Sequence, residues 1–138
     1  MTVATASSDA DTLRILEKLS REHKSDGFIL PRTKVDDERA AFLRAHDIPF
    51  VLYGRTQDCT NSAWFDIESE KAMEDAVARL VALGHRRIGF VPGGDGYMYT
   101  RLRKAGYLAG LAKAGIAADP SLIAEPAVNR AAGAEAAD

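Results

Sequence analysis

The chain of 138 residues is 46% hydrophobic and 28% charged with a formal net charge of −2, which is typical of a folded globular protein and excludes a disordered one. Its balanced charge and lack of any long basic run argue against a nucleic-acid-binding surface within these residues. The single cysteine, Cys59, excludes an internal disulfide framework and favours a reducing compartment.

The sequence also bears on membranes and export. No stretch reaches the roughly 20 apolar residues that a membrane helix needs. The N-terminal residues MTVATASSDADT have neither a basic start nor an apolar core, so they do not resemble a signal peptide. We therefore expect a cytoplasmic location and no membrane partner.

The first half of the chain alternates short apolar runs with helical patterns. Leucines at helical spacing follow Ser7-Ser8-Asp9, and a second helix over 36–46 begins with acidic residues that its dipole favours. Strands are predicted at TVAT (2–5), GFIL (27–30, stopped by Pro31) and PFVLY (49–53, closed by Gly54).

The second half begins with the clearest helix pattern, over 68–84 with a terminal glycine. A strand is predicted at RIGFV (87–91), followed by a helix over 98–114 that ends before Gly115. In that helix Leu102, Ala105, Ala109 and Ala112 are predicted to form the buried side. Asp119 and Pro120 begin a further turn or helix, and residues 127–137 read as the start of another helix.

Continuous apolar strands that alternate with helices indicate a parallel α/β sheet covered on both faces. The long polar segment 54–66 interrupts this pattern. We therefore predict two subdomains, the first over 1–62 and the second, with the crossover, over 63–138.

The glycine-rich turn PGGDG (92–96) raises the possibility of a phosphate site. It lacks the Lys-Ser/Thr pair of a P-loop, and Tyr99 occupies the third glycine position of a dinucleotide fingerprint. Asp95 would also place a carboxylate beside the phosphate charge. These features disfavour phosphate or dinucleotide binding.

The helix after this turn carries a different signal. Tyr99 and Arg103 are four residues apart and share a face, whereas Arg101 lies about 200° around the axis from Arg103. An arginine near the carboxyl edge of a parallel sheet is placed where open α/β folds bind ligands, and its planar fork suits pairs of oxygens such as vicinal hydroxyls. The alternative that both arginines are ordinary solvated side chains stays open.

The stretch AVARLVALGHRRIGFVPGG, followed by TRLRKAGYLAGLAKAGI, resembles the effector-binding core of the LacI/GalR family of bacterial transcription regulators. The segments DGFIL, IPFVLYGR and FDIESEKA occur in the order and spacing of the family, so the resemblance covers residues 2–136. It implies a periplasmic-binding-protein-like fold of two doubly wound parallel-sheet α/β subdomains, both incomplete in this chain, which close on a small ligand. The sequence around PRT, YGRT and WFDIE is most similar to that of the carbohydrate-responsive members.

The resemblance also implies a set of ligand-contacting residues. In the family, the arginine three residues before the motif glycine contacts the ligand, and in this chain these residues are Arg103 and Gly106. Further contacts come from the residues just after two of the strands and from the crossover segment. The predicted ligand-binding residues are Arg32, Thr33, Arg55, Trp64, Asp66, Tyr99 and Arg103. The chain departs from the family pattern at Gly54, where many members have Asp, and at Glu68-Ser69, where they have Asp-Asn.

Three of these positions have a second interpretation. Asp66 either caps the following helix or accepts hydrogen bonds from ligand hydroxyls. Trp64 either belongs to the core or stacks on a sugar ring, and Arg55 is either a ligand contact or a solvated loop residue.

From the resemblance we expect a non-enzymatic sensor without cofactor or metal. Its partner is a small-molecule effector, a mono- or disaccharide, and the full-length protein is a homodimer that contacts DNA only through a headpiece absent from this chain. As a fragment, the chain is expected to fold poorly or associate when alone and not to bind operator DNA. The alternatives are a periplasmic-type sugar-binding protein and a Rossmann-like nucleotide-dependent enzyme.

Overall fold

The computed structural model describes residues 8–126 and 129–135 and divides the chain into two compact units, Met1–Phe65 and Asp66–Asp138. The boundary lies three residues after the predicted one. The predicted strand at 2–5 lies outside the described residues. The elements are α1 (Asp9–Arg21), β1 (Phe28–Pro31), α2 (Glu38–Ala45), β2 (Phe50–Tyr53), β3 (Ala63–Phe65), α3 (Ser69–Ala82), α4 (Met98–Lys113), a 3-10 helix (Pro120–Leu122) and α5 (Arg130–Glu135).

The first unit contains a parallel sheet in the order β1-β2-β3, as the apolar runs predicted for β1 and β2. Leu30 and Leu52 lie side by side in the sheet and pack with Leu16 of α1 and Leu43 of α2. Both helices have side-chain caps: Ser8 accepts from the N–H of Asp11, and Asp37 accepts from that of Arg39.

The other face of this sheet is open in the described part of the chain. Ile29, Val51, Tyr53 and Phe65 are each 41–68% exposed. The prediction that both faces are covered is therefore wrong for the first unit as described. Side chains of α1 and α2 pack against one face of the sheet. The composition of the strands alone does not show how many helices are present to cover the second face.

The second unit is built on the packing of α3 against α4. Its core contains Val77, Ile88, Phe90, Tyr107 and Leu111. The buried side of α4 includes Leu102, as predicted, but Ala105 and Ala112 are exposed, and Gly106 and Gly110 are buried instead. A pattern of apolar side chains cannot reveal this face, because the glycines contribute close backbone approach rather than apolar surface.

The predicted strand at 87–91 is not formed. Phe90 makes one isolated parallel bridge with Ile123: its N–H donates to the carbonyl of Leu122 at 2.8 Å, and its carbonyl accepts from the N–H of Ala124 at 3.0 Å. A strand needs a neighbour along several residues, and within the described ranges this run pairs at that bridge alone. The predicted cap is confirmed, since the Asp119 carboxylate accepts from the N–H of Ser121 at the start of the 3-10 helix.

None of the described helices combines the length and the apolar character needed to cross a bilayer.

Candidate ligand-binding residues

Four of the predicted site residues lie in the first unit, at or near the carboxyl edge of its sheet. Arg32 and Thr33 follow β1, Arg55 follows β2, and Trp64 lies in β3. The strands are parallel, so their carboxyl ends meet at one edge. The guanidinium carbon of Arg55 lies 5.8 Å from the centre of the Trp64 ring, within reach of a cation–π contact.

Thr33 lies beneath this edge rather than on its surface. Its side chain is buried, with 3% of the residue exposed, whereas Trp64 is 50% exposed and Arg32 is exposed. A Cβ atom built on Gly54 would approach Thr33 Oγ1 to 2.3 Å, and Gly54 has a φ of +121°. Thr33 therefore occupies the space that a side chain at position 54 would need, which accounts physically for glycine at that position.

An ion pair that residue spacing alone does not reveal braces the loop after β1. The Arg39 guanidinium contacts both carboxylate oxygens of Asp37, at 2.9 and 2.6 Å. Burial disfavours the charged form of Asp37, but hydrogen bonds from Arg39 and from the backbone N–H of Lys34 outweigh it and lower the pKa of the carboxyl. The sequence showed Asp37 only as one of several acids at a helix start.

In the second unit the glycine-rich turn and α4 place Tyr99 and Arg103 together. The Arg103 guanidinium carbon lies 5.1 Å from the centre of the Tyr99 ring, so the prediction that the two residues share a face is confirmed. The Tyr97 ring, which the sequence analysis did not select, stacks on Tyr99 with centroids 5.4 Å apart.

The turn itself is held tightly against the start of α4. The Thr100 hydroxyl is buried and donates to the carbonyl of Gly94 at 3.0 Å. A Cβ atom on Gly93 would lie 2.6 Å from the Tyr99 ring. Glycine at position 93 thus allows the backbone to approach the Tyr99 ring closely.

Asp66 begins the second unit but does not occupy the cap position of α3. The N-cap residue is Glu68, whose side chain makes no capping hydrogen bond. The Asp66 carboxylate accepts from the N–H of Ile67 at 2.8 Å. The position is half-buried, and the hypothesis of a ligand contact at Asp66 stays a prediction.

Within the described ranges, the predicted site residues form arginine–aromatic pairs rather than clusters of metal ligands. No group of three His, Cys, Asp or Glu residues within 8–126 and 129–135 is arranged to hold a metal ion. Each unit instead presents one arginine over an aromatic ring, Arg55 with Trp64 and Arg103 with Tyr99. Arginines near the carboxyl edge of a parallel sheet are typical of the α/β proteins that bind small polar ligands.

Comparison with known proteins specifies the family. The family model for periplasmic binding proteins and the sugar-binding domain of the LacI family matches residues 1–138, and the chain belongs to this family. The HTH-type transcriptional regulator RafR of Escherichia coli is 31% identical over 105 residues, which are 76% of this chain and 31% of RafR.

Two solved structures show the same relationship. A putative LacI transcriptional regulator from Bacillus cereus subsp. cytotoxis NVH 391-98 superposes with a TM-score of 0.92 and 26% identity, over 98% of this chain and 48% of that one. A complex of the transcriptional regulator CelR with cellobiose superposes with a TM-score of 0.83 and 26% identity, over 98% of this chain and 42% of that one.

These comparisons confirm the resemblance and the periplasmic-binding-protein-like fold. The curated relatives are HTH-type transcriptional regulators rather than enzymes, which counts against the Rossmann-like alternative. The chain spans about a third of the length of RafR and less than half of each solved chain.

Proposed function

We propose that this chain forms the effector-binding core of a LacI-type transcription regulator and that its effector is a mono- or disaccharide. The observation that carries the proposal is the arginine over an aromatic ring in each unit. A guanidinium fork donates to adjacent hydroxyls, and an aromatic ring offers a face to the apolar side of a pyranose. The cellobiose complex of CelR supports a saccharide as the ligand class.

Within this proposal each unit carries its own candidate ligand contacts. Arg32, Arg55 and Trp64 contribute from the first unit, with Thr33 supporting them from below. In the second unit the contacts are Arg103, Tyr99 and Asp66.

The proposed mechanism is ligand-controlled closure. The effector binds one conformational state of the core more tightly and so increases its population. In a full-length cytoplasmic homodimer this shift changes the affinity of a separate DNA-binding headpiece for its operator. The core, with its net charge of −2, contributes no DNA contact of its own.

Arg103→Ala in the full-length protein tests the arginine assignment. Loss of its charge-assisted hydrogen bonds is expected to cost roughly 1.5–3 kcal/mol of binding free energy, or about 10- to 150-fold in affinity. Isothermal titration calorimetry with a panel of mono- and disaccharides, sugar phosphates and NAD measures the change. Arg101→Ala is the matched control, because it removes another exposed arginine of α4 that lies on a different side.

Two results would count against the proposal in different ways. Affinity within twofold of wild type for Arg103→Ala would remove Arg103 from the site. Binding of NAD or phosphorylated compounds without binding of any neutral saccharide would overturn the effector class. An effector-dependent change in operator binding, measured on the same protein, separates a regulator from a periplasmic-type binding protein.

A further inference from the structure

The loop after β1 holds Arg32 in an uncommon backbone conformation. Arg32 has a φ of +52°, in the left-handed region that only a few per cent of non-glycine residues adopt. Such a conformation persists where surrounding interactions determine it. Arg39 of the following helix and Asp37, the N-cap residue of that helix, supply those interactions.

Arg39 of α2 reaches back to the end of β1. Its Nη2 donates to the carbonyl of Pro31 at 3.1 Å and to the carbonyl of Arg32 at 3.2 Å. The same guanidinium contacts the Asp37 carboxylate through Nε and Nη2. One arginine therefore joins the two ends of the loop, residues 31–37.

Asp37 completes the arrangement from the other side. Its carboxylate, with 1% of the side chain exposed, accepts from the backbone N–H of Lys34 at 3.0 Å and from that of Arg39 at 3.1 Å. The loop is also tied to the one after β2, since the N–H of Gln57 donates to the carbonyl of Val35 at 2.8 Å. The pair of the buried Asp37 and the half-buried Arg39 is thus a brace between the sheet edge and the helix.

We propose that Asp37 and Arg39 are positioning residues for effector binding, which hold the 31–37 loop so that Arg32 is presented to the ligand. The inference rests on the proposed function for its consequence, but the brace itself can be measured without ligand. Ordering the loop in advance reduces the conformational cost of binding. Neither Asp37 nor Arg39 needs to touch the effector.

Arg39→Lys in the full-length protein is the test variant. Lysine keeps the charge but cannot reproduce the planar fork that contacts a carboxylate and two carbonyls together. Arg14→Lys is the matched control, because it makes the same change in an exposed pair with Asp11. Asp37→Asn is the second variant, used if Arg39→Lys does not fold.

The first measurement is amide hydrogen exchange without effector. Exchange of the Lys34 amide is expected to accelerate about 5- to 30-fold in Arg39→Lys, which corresponds to a loss of about 1–2 kcal/mol of local protection. Exchange at Phe28, whose N–H donates to the carbonyl of Pro49 at 2.9 Å, is expected to be unchanged. Unchanged exchange at Lys34 would overturn the proposed brace, whether or not the protein binds a saccharide.

The second measurement is a double-mutant cycle with Arg32→Ala, read as effector affinity at a temperature where all variants are folded. Arg39→Lys is expected to weaken binding about 5- to 30-fold in the wild-type background and to have no further effect when Arg32 is absent. An equal loss in both backgrounds, or affinity within twofold of wild type, would contradict action through Arg32. If the wild-type protein binds no saccharide, the proposed function fails separately, and the exchange result alone decides the brace.

Discussion

Gly106→Ala should separate α3 from α4. A Cβ atom at position 106 would lie 2.2 Å from the carbonyl oxygen of Glu70 and 2.8 Å from its carbonyl carbon, which are backbone atoms of α3. Backbone cannot rotate away as a side chain can, so the helices must move apart. Overpacking of this kind costs up to about 3 kcal/mol, and replacing glycine in a helix gains back about 1 kcal/mol, which leaves a net loss of about 2 kcal/mol.

Two other helical glycines provide a graded comparison. At Gly110 the nearest atom is the Cβ of the buried Val77, at 2.8 Å, which is fixed to the backbone of α3. Alanine there is therefore also expected to be destabilising, but less so than at Gly106, where the nearest atom would lie at 2.2 Å. At Gly133 nothing lies within 4 Å, so alanine is expected to be neutral or stabilising.

Urea denaturation of the full-length protein and the three variants measures this order. A net loss of about 2 kcal/mol corresponds to a midpoint lower by about 1 M for a slope of about 2 kcal/mol/M. A Gly106→Ala protein as stable as Gly133→Ala would refute the close approach of α4 to the backbone of α3. Equal destabilisation by Gly106→Ala and Gly110→Ala would refute the ranking by separation, 2.2 Å at Gly106 against 2.8 Å at Gly110.

Two further predictions concern buried polar groups. Tyr107→Phe should lower the free energy of unfolding by about 1–3 kcal/mol, because the phenol donates to the Ile88 carbonyl at 2.8 Å. Burial, with a smaller effect of Asp119, raises the pKa of Tyr107, so the stability of the wild-type protein should fall above about pH 10. A Phe variant whose unfolding midpoint matches that of the wild type up to that pH would contradict the role of this hydrogen bond. Asp37→Asn should flatten the dependence of stability on acid pH. The pKa of Asp37 is lowered in the folded protein, so its contribution to stability is complete above the unfolded pKa of about 3.9 and is lost as the pH falls through the folded pKa. An unchanged loss of stability at acid pH, measured by urea titration of the variant, would exclude this contribution of Asp37.

Sequence periodicity predicted the elements that pair or pack with another element along most of their length. The apolar runs of β1 and β2 and the helical pattern of α3 form where expected, within a few residues, because each pattern reports which side chains must be buried. The run at 87–91 has the same apolar character but bonds through Phe90 alone within the described ranges. A strand depends on a partner as well as on its own residues, and the partner is not encoded locally.

The candidate site divides in a similar way. The four-residue spacing of Tyr99 and Arg103 was sufficient to place the two side chains together, because helix geometry is local. Arg55 and Trp64 are nine residues apart, and it is the pairing of β2 with β3 that brings them into contact. The brace of Asp37 and Arg39 could not be predicted from the sequence, because residue spacing does not show that a guanidinium turns back to carbonyl groups at the end of a preceding strand.

The sequence by itself determined the α/β class, the family resemblance and the helix face that carries Arg103, because these follow from residue order and periodicity. Tertiary structure decided that Thr33 is buried under Gly54 and that Gly106 lies against the backbone of Glu70. These contacts join residues separated by 21 and 36 positions. Which atoms occupy a given space, and which residue must therefore lack a side chain, depends on how distant elements pack.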